Sequence, residues 1–370
     1  MASSAKQKAL EAFMAKARKT YGEETFVLSP TVTAYDVIPT GSITLDYHLS
    51  VGGWTVGRLH EVWGAEGVGK TTLCLLSVAE AQKKFPDKIV AWIDVEYRLD
   101  KAWAVSHGVD LERLLHVQPK DAEDVADQVK DLCRSELVSL IVVDSIGAMI
   151  PEREKEKDAG DAVVGRQAQI VTRMVKIAAG VASETQTTII FINQVRANVG
   201  GYGSPTTTGG GHALKHCTTT KLMVKRQGGM SPMSAKIEGE DRIVGHHIAV
   251  DIQRNSVAPA YRVATFPLIH VATDKFGPVG VDDADEATTI GLKTGIIQQA
   301  GAWYTNTISG ERVQGRESVV ESLRNDRDLI KAVRKRALAL VAGEVEVFDD
   351  YQSQLDELED DDEGEVIESD

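Results

Sequence analysis

Eight residues, Gly64-Ala65-Glu66-Gly67-Val68-Gly69-Lys70-Thr71, fit the spacing G-x-x-x-x-G-K-[ST] between an apolar run and an amphipathic one. Glycines at these intervals free backbone N–H groups to wrap an anion, and a helix behind them adds its own N-terminal N–H groups. The chemistry is phosphate binding, with Lys70 reaching the outer phosphates and Thr71 holding Mg2+. Thr72 is a further hydroxyl in the first turn, with a structural role. Asp144 ends the apolar run "LIVVDS" (140–145) and offers a carboxylate to the Mg2+ shell. "WIDVEY" (92–97) ends another run with Asp94 and Glu96, and alternation along a strand puts both carboxylates on one side. Glu96 lies nearer the carboxyl end and is the candidate to orient and deprotonate water. An adenine ring could stack on Trp103, or that indole could fill the core. A third run, "TTIIFINQ" (187–194), ends in Asn193-Gln194. The Gln194 amide both donates and accepts hydrogen bonds, so it can sense a γ-phosphate or its water.

These residues need strands that end along one edge. "RLHEVWG" (58–64), "KIVAWIDVE" (88–96), "LIVVDS" and "TTIIFINQ" read as strands. Between them, 71–85, 122–135 and 165–183 carry helical apolar stripes. The alternation predicts an α/β domain with a largely parallel sheet covered on both faces. Ligands of such sheets lie at the carboxyl ends of the strands. "TKLMVKRQG" and "HHIAVDIQRN" read as strands that extend the sheet in antiparallel fashion. Residues 1–30 read as a helical arm, 31–270 as the core, 271–343 as a smaller domain and 344–370 as an acidic tail.

Two irregular stretches leave the same sheet edge. One is "EREKEKDAGDAVVG" (152–165), and the other begins at Val195 and is rich in glycine and threonine. A segment with so little to bury is expected to take its order from ligands. Together with the following helix they offer Arg166, Arg173, Lys176, Arg196 and Lys215 as phosphate partners. Thr172, Thr207 and Thr208 add hydroxyls, while Gly165, Gly200, Gly209 and Gly210 let backbone approach phosphates closely. Val164 and Val199 are apolar wedges for base steps. Two ordinary surface loops would show the same composition.

The 370 residues are 42% apolar and 26% charged, enough for a substantial core. No apolar run approaches the ~18 residues of a membrane span. The N-terminal stretch has basic residues but no apolar signal-peptide core. The three cysteines, Cys74, Cys133 and Cys217, make no CxxC, which points to a reduced, cytoplasmic setting without a zinc site or disulfide framework. The net charge of −14 sits at one end: residues 337–370 hold 14 acidic and no basic residues, and the rest is neutral. Such a tail either keeps the chain soluble or competes for a polyanion site on the body.

The stretches "TGSITLDYHLSVGG" (40–53), "GAEGVGKTTL" (64–73), "IDVEYRLD" (93–100), "VVDSIGAMIPEREKEKDAGD" (142–161), "IIFINQVR" (189–196), "TTTGGGHALK" (206–215), "RNSVAP" (254–259) and "AGAWY" (300–304) resemble, in order, those of the bacterial RecA recombinase family. The resemblance implies a P-loop NTPase core with a mostly parallel central sheet, an N-terminal helical arm and a small α+β C-terminal domain. It implies a DNA-dependent ATPase using ATP and Mg2+, assembling as a helical filament on single-stranded DNA and exchanging strands with a homologous duplex. ATP would lie between protomers, with Asp100 at the adenine edge, Trp103 against its ring and Arg254 reaching the neighbour's nucleotide. Residues 152–165 and 195–209 become DNA-binding loops, and the arm packs on the next protomer. A LexA-like repressor and a single-strand-binding protein become candidate partners.

The chain departs from the family pattern at several places. Arg254 and Ser256 stand where two lysines are usual, His216 replaces an aromatic, and "DAVVG" lacks the usual residues of the first loop. These mark a divergent member. A helicase-like motor or accessory filament regulator would share the ATPase core but lack the second loop or the arm. A non-hydrolysing scaffold would lack Glu96 and Gln194.

Overall fold

The computed structural model describes residues 2–22, 35–152, 166–197, 206–208, 211–229 and 232–342. In chain order the elements are α1 (Ala2–Tyr21), β1 (Val37–Ile38), α2 (Ile43–Leu49), β2 (Trp54–Thr55), β3 (Leu59–Gly64), α3 (Lys70–Lys84), β4 (Ile89–Asp94), α4 (Lys101–Ser106), β5 (Leu114–Val117), α5 (Ala122–Arg134), β6 (Val138–Asp144) and α6 (Arg166–Thr185). There follow β7 (Thr188–Ala197), β8 (Thr206–Thr208), α7 (Gly211–Cys217), β9 (Thr220–Arg226), β10 (Met233–Ile237), β11 (Glu240–Asn255) and β12 (Val263–Ile269). The last are α8 (Asp283–Lys293), β13 (Ile297–Ala300), β14 (Trp303–Asn306), β15 (Arg312–Gln314), α9 (Arg316–Asn325) and α10 (Arg327–Ala342). The chain divides into two compact units, residues 1–35, which hold α1, and the remainder.

The continuous apolar runs have a two-sided explanation. Val90, Trp92, Leu140, Val142, Ile190 and Ile192 pack on one sheet face with Leu73, Cys74 and Val78 of α3. Their sequence neighbours Ala91, Ile93, Ile141, Val143, Ile189 and Phe191 pack on the other face with α5 and α6. The apolar residues of these strands are therefore covered on both faces of the sheet, and no polar alternation survives. α5 shows how a covering helix is specified. Val125, Val129 and Cys133 fall on one buried stripe, and the Asp121 carboxylate caps the first turn by accepting from Asp124 N–H at 2.8 Å.

Across the large sheet the order is β10-β11-β9-β3-β7-β6-β4-β5, with β12 also paired to β11. The six strands from β9 to β5 are parallel, so β9 corrects the antiparallel reading of "TKLMVKRQG". α7 supplies the helical crossover that lets β9 return in the same direction after β7. β11 then runs antiparallel to β9.

The glycine- and threonine-rich stretch also differs from the irregular loop expected. β7 continues to Ala197, and Thr206–Thr208 returns antiparallel to it, with Val195 opposite Thr208. β-branched threonines suit such a ribbon. Residues 198–205 and 209–210 lie outside the described residues.

A third core joins α8, α9 and α10 to α2 through Ile43, Ala287, Ile290, Leu323 and Val333. At its seam the Glu286 carboxyl of α8 accepts from Ser42 Oγ at 2.6 Å and from Ile43 N–H at 2.7 Å, at the first turn of α2. β13, β14 and β15 form a separate antiparallel sheet of three strands.

Candidate nucleotide site

Register brings the predicted residues to one edge. Gly64 ends β3 directly beside Gln194 of β7, and Asp94 ends β4 directly beside Asp144 of β6. The loop from Gly64 to Gly69 crosses this edge into α3. Glycine is required at both ends of that loop. Gly64 has φ of 158°, and a Cβ there would sit 2.2 Å from the Val224 carbonyl oxygen. Gly69 has φ of 100°, and its Cβ would meet Leu268 at 2.6 Å. As the N-cap of α3, Gly69 offers no side-chain acceptor, so the first N–H groups of the helix keep no cap and can serve an anion.

Within the loop, Lys70 Nζ donates to the carbonyls of Gly64 at 3.0 Å and Ala65 at 2.6 Å. Burial lowers its pKa, opposed by the carboxylates of Asp144 and Glu96. Thr71 Oγ1 donates to Asp144 Oδ2 at 3.2 Å. Burial, reinforced by nearby Glu96, pushes the Asp144 carboxyl up to about 6, with the Thr71 hydroxyl opposing. A hydroxyl and a carboxylate in contact are the hard oxygen donors that Mg2+ takes. The open helix terminus and this donor pair fit a Mg2+-bound phosphate chain.

Glu96 and Asp94 separate, contrary to the expectation that alternation keeps them together. β4 stops at Asp94, and the chain turns through Tyr97 at φ of 56°. The Asp94 carboxylate is buried, accepts from the N–H groups of Arg98 and Leu99, and meets His116 at 3.0 Å. It holds the turn. Glu96 swings across the edge, where its Oε1 accepts from Gln194 Nε2 at 2.8 Å and from the Ser145 hydroxyl. Its Oε2 lies 3.3 Å from Arg98 Nη1, which also reaches Glu66 at 3.3 Å. Sequence reading missed Ser145 and Arg98, although Ser145 directly follows Asp144. Beneath Gln194, Asn193 Nδ2 donates to buried Glu61 Oε1 at 3.0 Å, and Lys221 pairs with Glu61 at 3.0 Å.

Trp103 takes the core reading in part. Its indole is half-buried against the core, and its Nε1 donates to Thr72 Oγ1 at 3.3 Å. That bond is the structural task of Thr72. Asp100 caps α4, its Oδ1 accepting from Ala102 and Trp103 N–H groups. Arg254 is half-buried; its guanidinium donates to the carbonyls of Lys215 and His216 and to Ser256 Oγ. Those carbonyls end α7, ahead of the first residue of β9, so the guanidinium turns away from the phosphate loop.

Of the proposed DNA contacts, Arg173 and Lys176 are exposed on α6 and Thr172 is half-buried. Arg166, at the start of that helix, lies 3.5 Å from Glu123 of α5. Thr207, Thr208 and Arg196 fall within the β7–β8 ribbon. Val164, Gly165, Val199, Gly200, Gly209 and Gly210 lie outside the described residues, as do residue 343 and the acidic tail 344–370. No helix among the described residues is long and apolar enough to cross a membrane.

A glycine-rich loop between a core strand and a helix, facing an acidic strand end in a parallel sheet, defines a P-loop nucleotide-binding protein. The RecA N-terminal domain family model matches residues 8–273. The protein RecA of Bacteroides thetaiotaomicron is 37% identical over 334 residues, spanning 89% of this chain and 96% of that protein. RecA of Campylobacter lari is 38% identical over 325 residues (87% and 90%), and that of Thermotoga neapolitana 37% over 339 residues (90% and 92%). The chain belongs to the RecA family of recombinases, which are DNA-dependent ATP hydrolases. Matches of this length do not favour an accessory regulator or helicase-like motor.

Proposed function

We propose that this chain binds ATP with Mg2+ at the Gly64–Thr71 loop and forms helical filaments on single-stranded DNA. There it pairs that strand with a homologous duplex and exchanges strands. The observation that carries the reading is the meeting of Glu96 and Gln194 beside the Thr71–Asp144 pair. It sets a water-activating carboxylate, an amide from the strand that leads toward the DNA loop, and the metal donors on one edge. When bound, Mg2+ would neutralise charge on the phosphates. Lys70 neutralises the outer phosphates, Thr71 and Asp144 hold the ion, and Glu96 takes a proton from water.

Gln194 links the two ligands. Its side chain touches Glu96, and its strand continues into the β7–β8 ribbon that carries Arg196, Thr207 and Thr208. DNA that orders this ribbon would thereby set the amide and the carboxylate. Asp100 and Trp103 face the adenine, Arg254 reaches a neighbour's nucleotide, and α1 packs on the next protomer. The residues Arg166, Thr172, Arg173, Lys176, Val164, Gly165, Val199, Gly200, Gly209 and Gly210 complete the DNA path. The acidic segment competes with DNA for cationic surface. A LexA-like repressor and a single-strand-binding protein are the protein partners that fit this role.

Purified protein with ATP, Mg2+, circular single strands and homologous linear duplex is expected to form joint molecules. Their absence across salt, pH and Mg2+ conditions would overturn the proposal.

A further inference from the structure

A cleft of about 640 Å³ opens where α2, β12, α8 and the last turn of α10 meet. Its lining includes Tyr47, His48, Arg262, Lys293, Leu340 and Val341. Two cations face it with neutral partners. Arg262 Nη1 donates to the Ser50 hydroxyl at 2.6 Å, and Lys293 Nζ lies 3.0 Å from His48 Nε2. His48 Nδ1 meets the Thr44 carbonyl at 2.7 Å. Nδ1 therefore carries the ring proton, Nε2 accepts from the ammonium, and the imidazole is neutral. Burial, and further the charges of Lys293 and Arg262, keep His48 below its ordinary pKa, with the Thr44 carbonyl opposing. The lysine also lies over the Tyr47 ring, 5.4 Å from its centroid. Neither cation has a carboxylate partner among the described ion pairs, whereas Asp46, one turn away, is taken by Arg334.

The sequence carries carboxylates just beyond the residues that line this cleft. Val341 forms part of the cleft wall, and Glu344 follows three residues later, a span of about 10 Å when extended. The segment reads Glu344-Val345-Glu346-Val347-Phe348-Asp349-Asp350. Extended, its alternation sets Glu344 and Glu346 on one side and Val345 and Val347 on the other. The cleft offers two cations beside the apolar surfaces of Tyr47, Val263 and Leu340. So short a tether gives the acids a high effective concentration that a free anion lacks.

We propose that the acidic segment of this chain docks through Glu344 and Glu346 into the cleft between α2, β12, α8 and α10, against Lys293 and Arg262. The assignment rests on the reading of that segment as a competitor for cationic surface, and it names the surface.

The test uses the full chain at low concentration without DNA or nucleotide. Carbodiimide is added to an equal mixture of heavy- and light-isotope chains, and links are mapped by mass spectrometry. Lys293 is expected to link to Glu344 or Glu346 of its own isotope. Acylation of Lys293 is expected to run about threefold faster in the Glu344→Gln/Glu346→Gln variant, the scale of one exposed ion pair. Equal acylation rates and no such link would overturn the assignment. If an added short duplex then slowed acylation equally in both proteins, the cleft would be a nucleic-acid phosphate site instead. Duplex affinity, measured in parallel, separates the two readings. A link with unchanged duplex affinity keeps the docking and removes the competitor role. Stronger duplex binding by the variant without the link keeps the competitor role and removes this cleft.

Discussion

Gln194 Nε2 donates to Glu96 Oε1 at 2.8 Å, joining the strand that leads into the β7–β8 ribbon to the carboxylate just past β4. The two residues are 98 positions apart, and the contact exists because β4, β6 and β7 end along one edge. Removing the amide leaves the phosphate loop untouched. Gln194→Ala should therefore keep nucleotide affinity within about threefold while DNA stimulation of ATP turnover falls about tenfold or more. Turnover with and without single-stranded DNA, beside a nucleotide titration, checks this. Undiminished DNA stimulation would mean that the signal travels elsewhere.

Lys70 and Glu96 should fail differently. Among the described residues Lys70 bonds only to loop carbonyls, so Lys70→Ala costs little stability but removes the phosphate counter-charge. Turnover should fall about 100-fold or more, and nucleotide affinity should fall with it. Glu96→Gln keeps a hydrogen-bonding group near Ser145 and Gln194 but cannot take a proton. Turnover should fall by about 10² to 10⁴ while nucleotide still binds. Single-turnover hydrolysis and equilibrium binding together separate the two.

Arg254 pairs in register with Lys221, and its guanidinium turns to the end of α7, ahead of β9. The phosphate loop sits at the other end of the neighbouring strands. A role at nucleotide therefore requires a second copy of the chain. Arg254→Ala should leave nucleotide affinity of dilute, DNA-free protein within about threefold and lower turnover on DNA about tenfold. A large affinity loss in dilute protein would show that Arg254 acts within its own chain.

The runs that became β3, β4, β6 and β7 were legible because helices on both sheet faces demand unbroken apolar residues. The phosphate loop was legible because Gly64 approaches the Val224 carbonyl too closely for any Cβ and Gly69 holds a positive φ of 100°. Strand direction was not legible. The sequence of β9 carries no mark of being parallel, and the short helix that reverses the chain, Gly211–Cys217, begins inside a glycine run. Alternation misled at Asp94 because it holds only while a strand continues. Nor does local sequence show that Ser145 and Gln194 converge on Glu96, since only sheet order brings them together.

Glu286 offers a test of the seam between α8 and α2. Full burial is the main reason its pKa rises from 4.5 to about 8; the Ser42 hydroxyl opposes the rise, and nearby Asp283 adds to it. The folded chain therefore holds this proton more tightly than the unfolded chain. The stabilisation is complete below the unfolded value near 4.5 and is lost as pH rises toward about 8. Asp46 acts with the same sign, pushed up to about 7 by burial against the opposing charge of Arg334. At about 1.4 kcal/mol per pH unit for one proton, the loss between pH 5 and 8 should reach a few kcal/mol. Glu286→Gln keeps an acceptor for Ile43 N–H, and the Ser42 hydroxyl can turn to accept from the new amide. The variant should show a flatter stability profile over that range, with the residual slope belonging to Asp46. Urea unfolding at several pH values, fitted for wild type and variant, measures the difference. An equal slope in both would mean that Glu286 is ionised in the folded chain and that its burial is relieved at the seam.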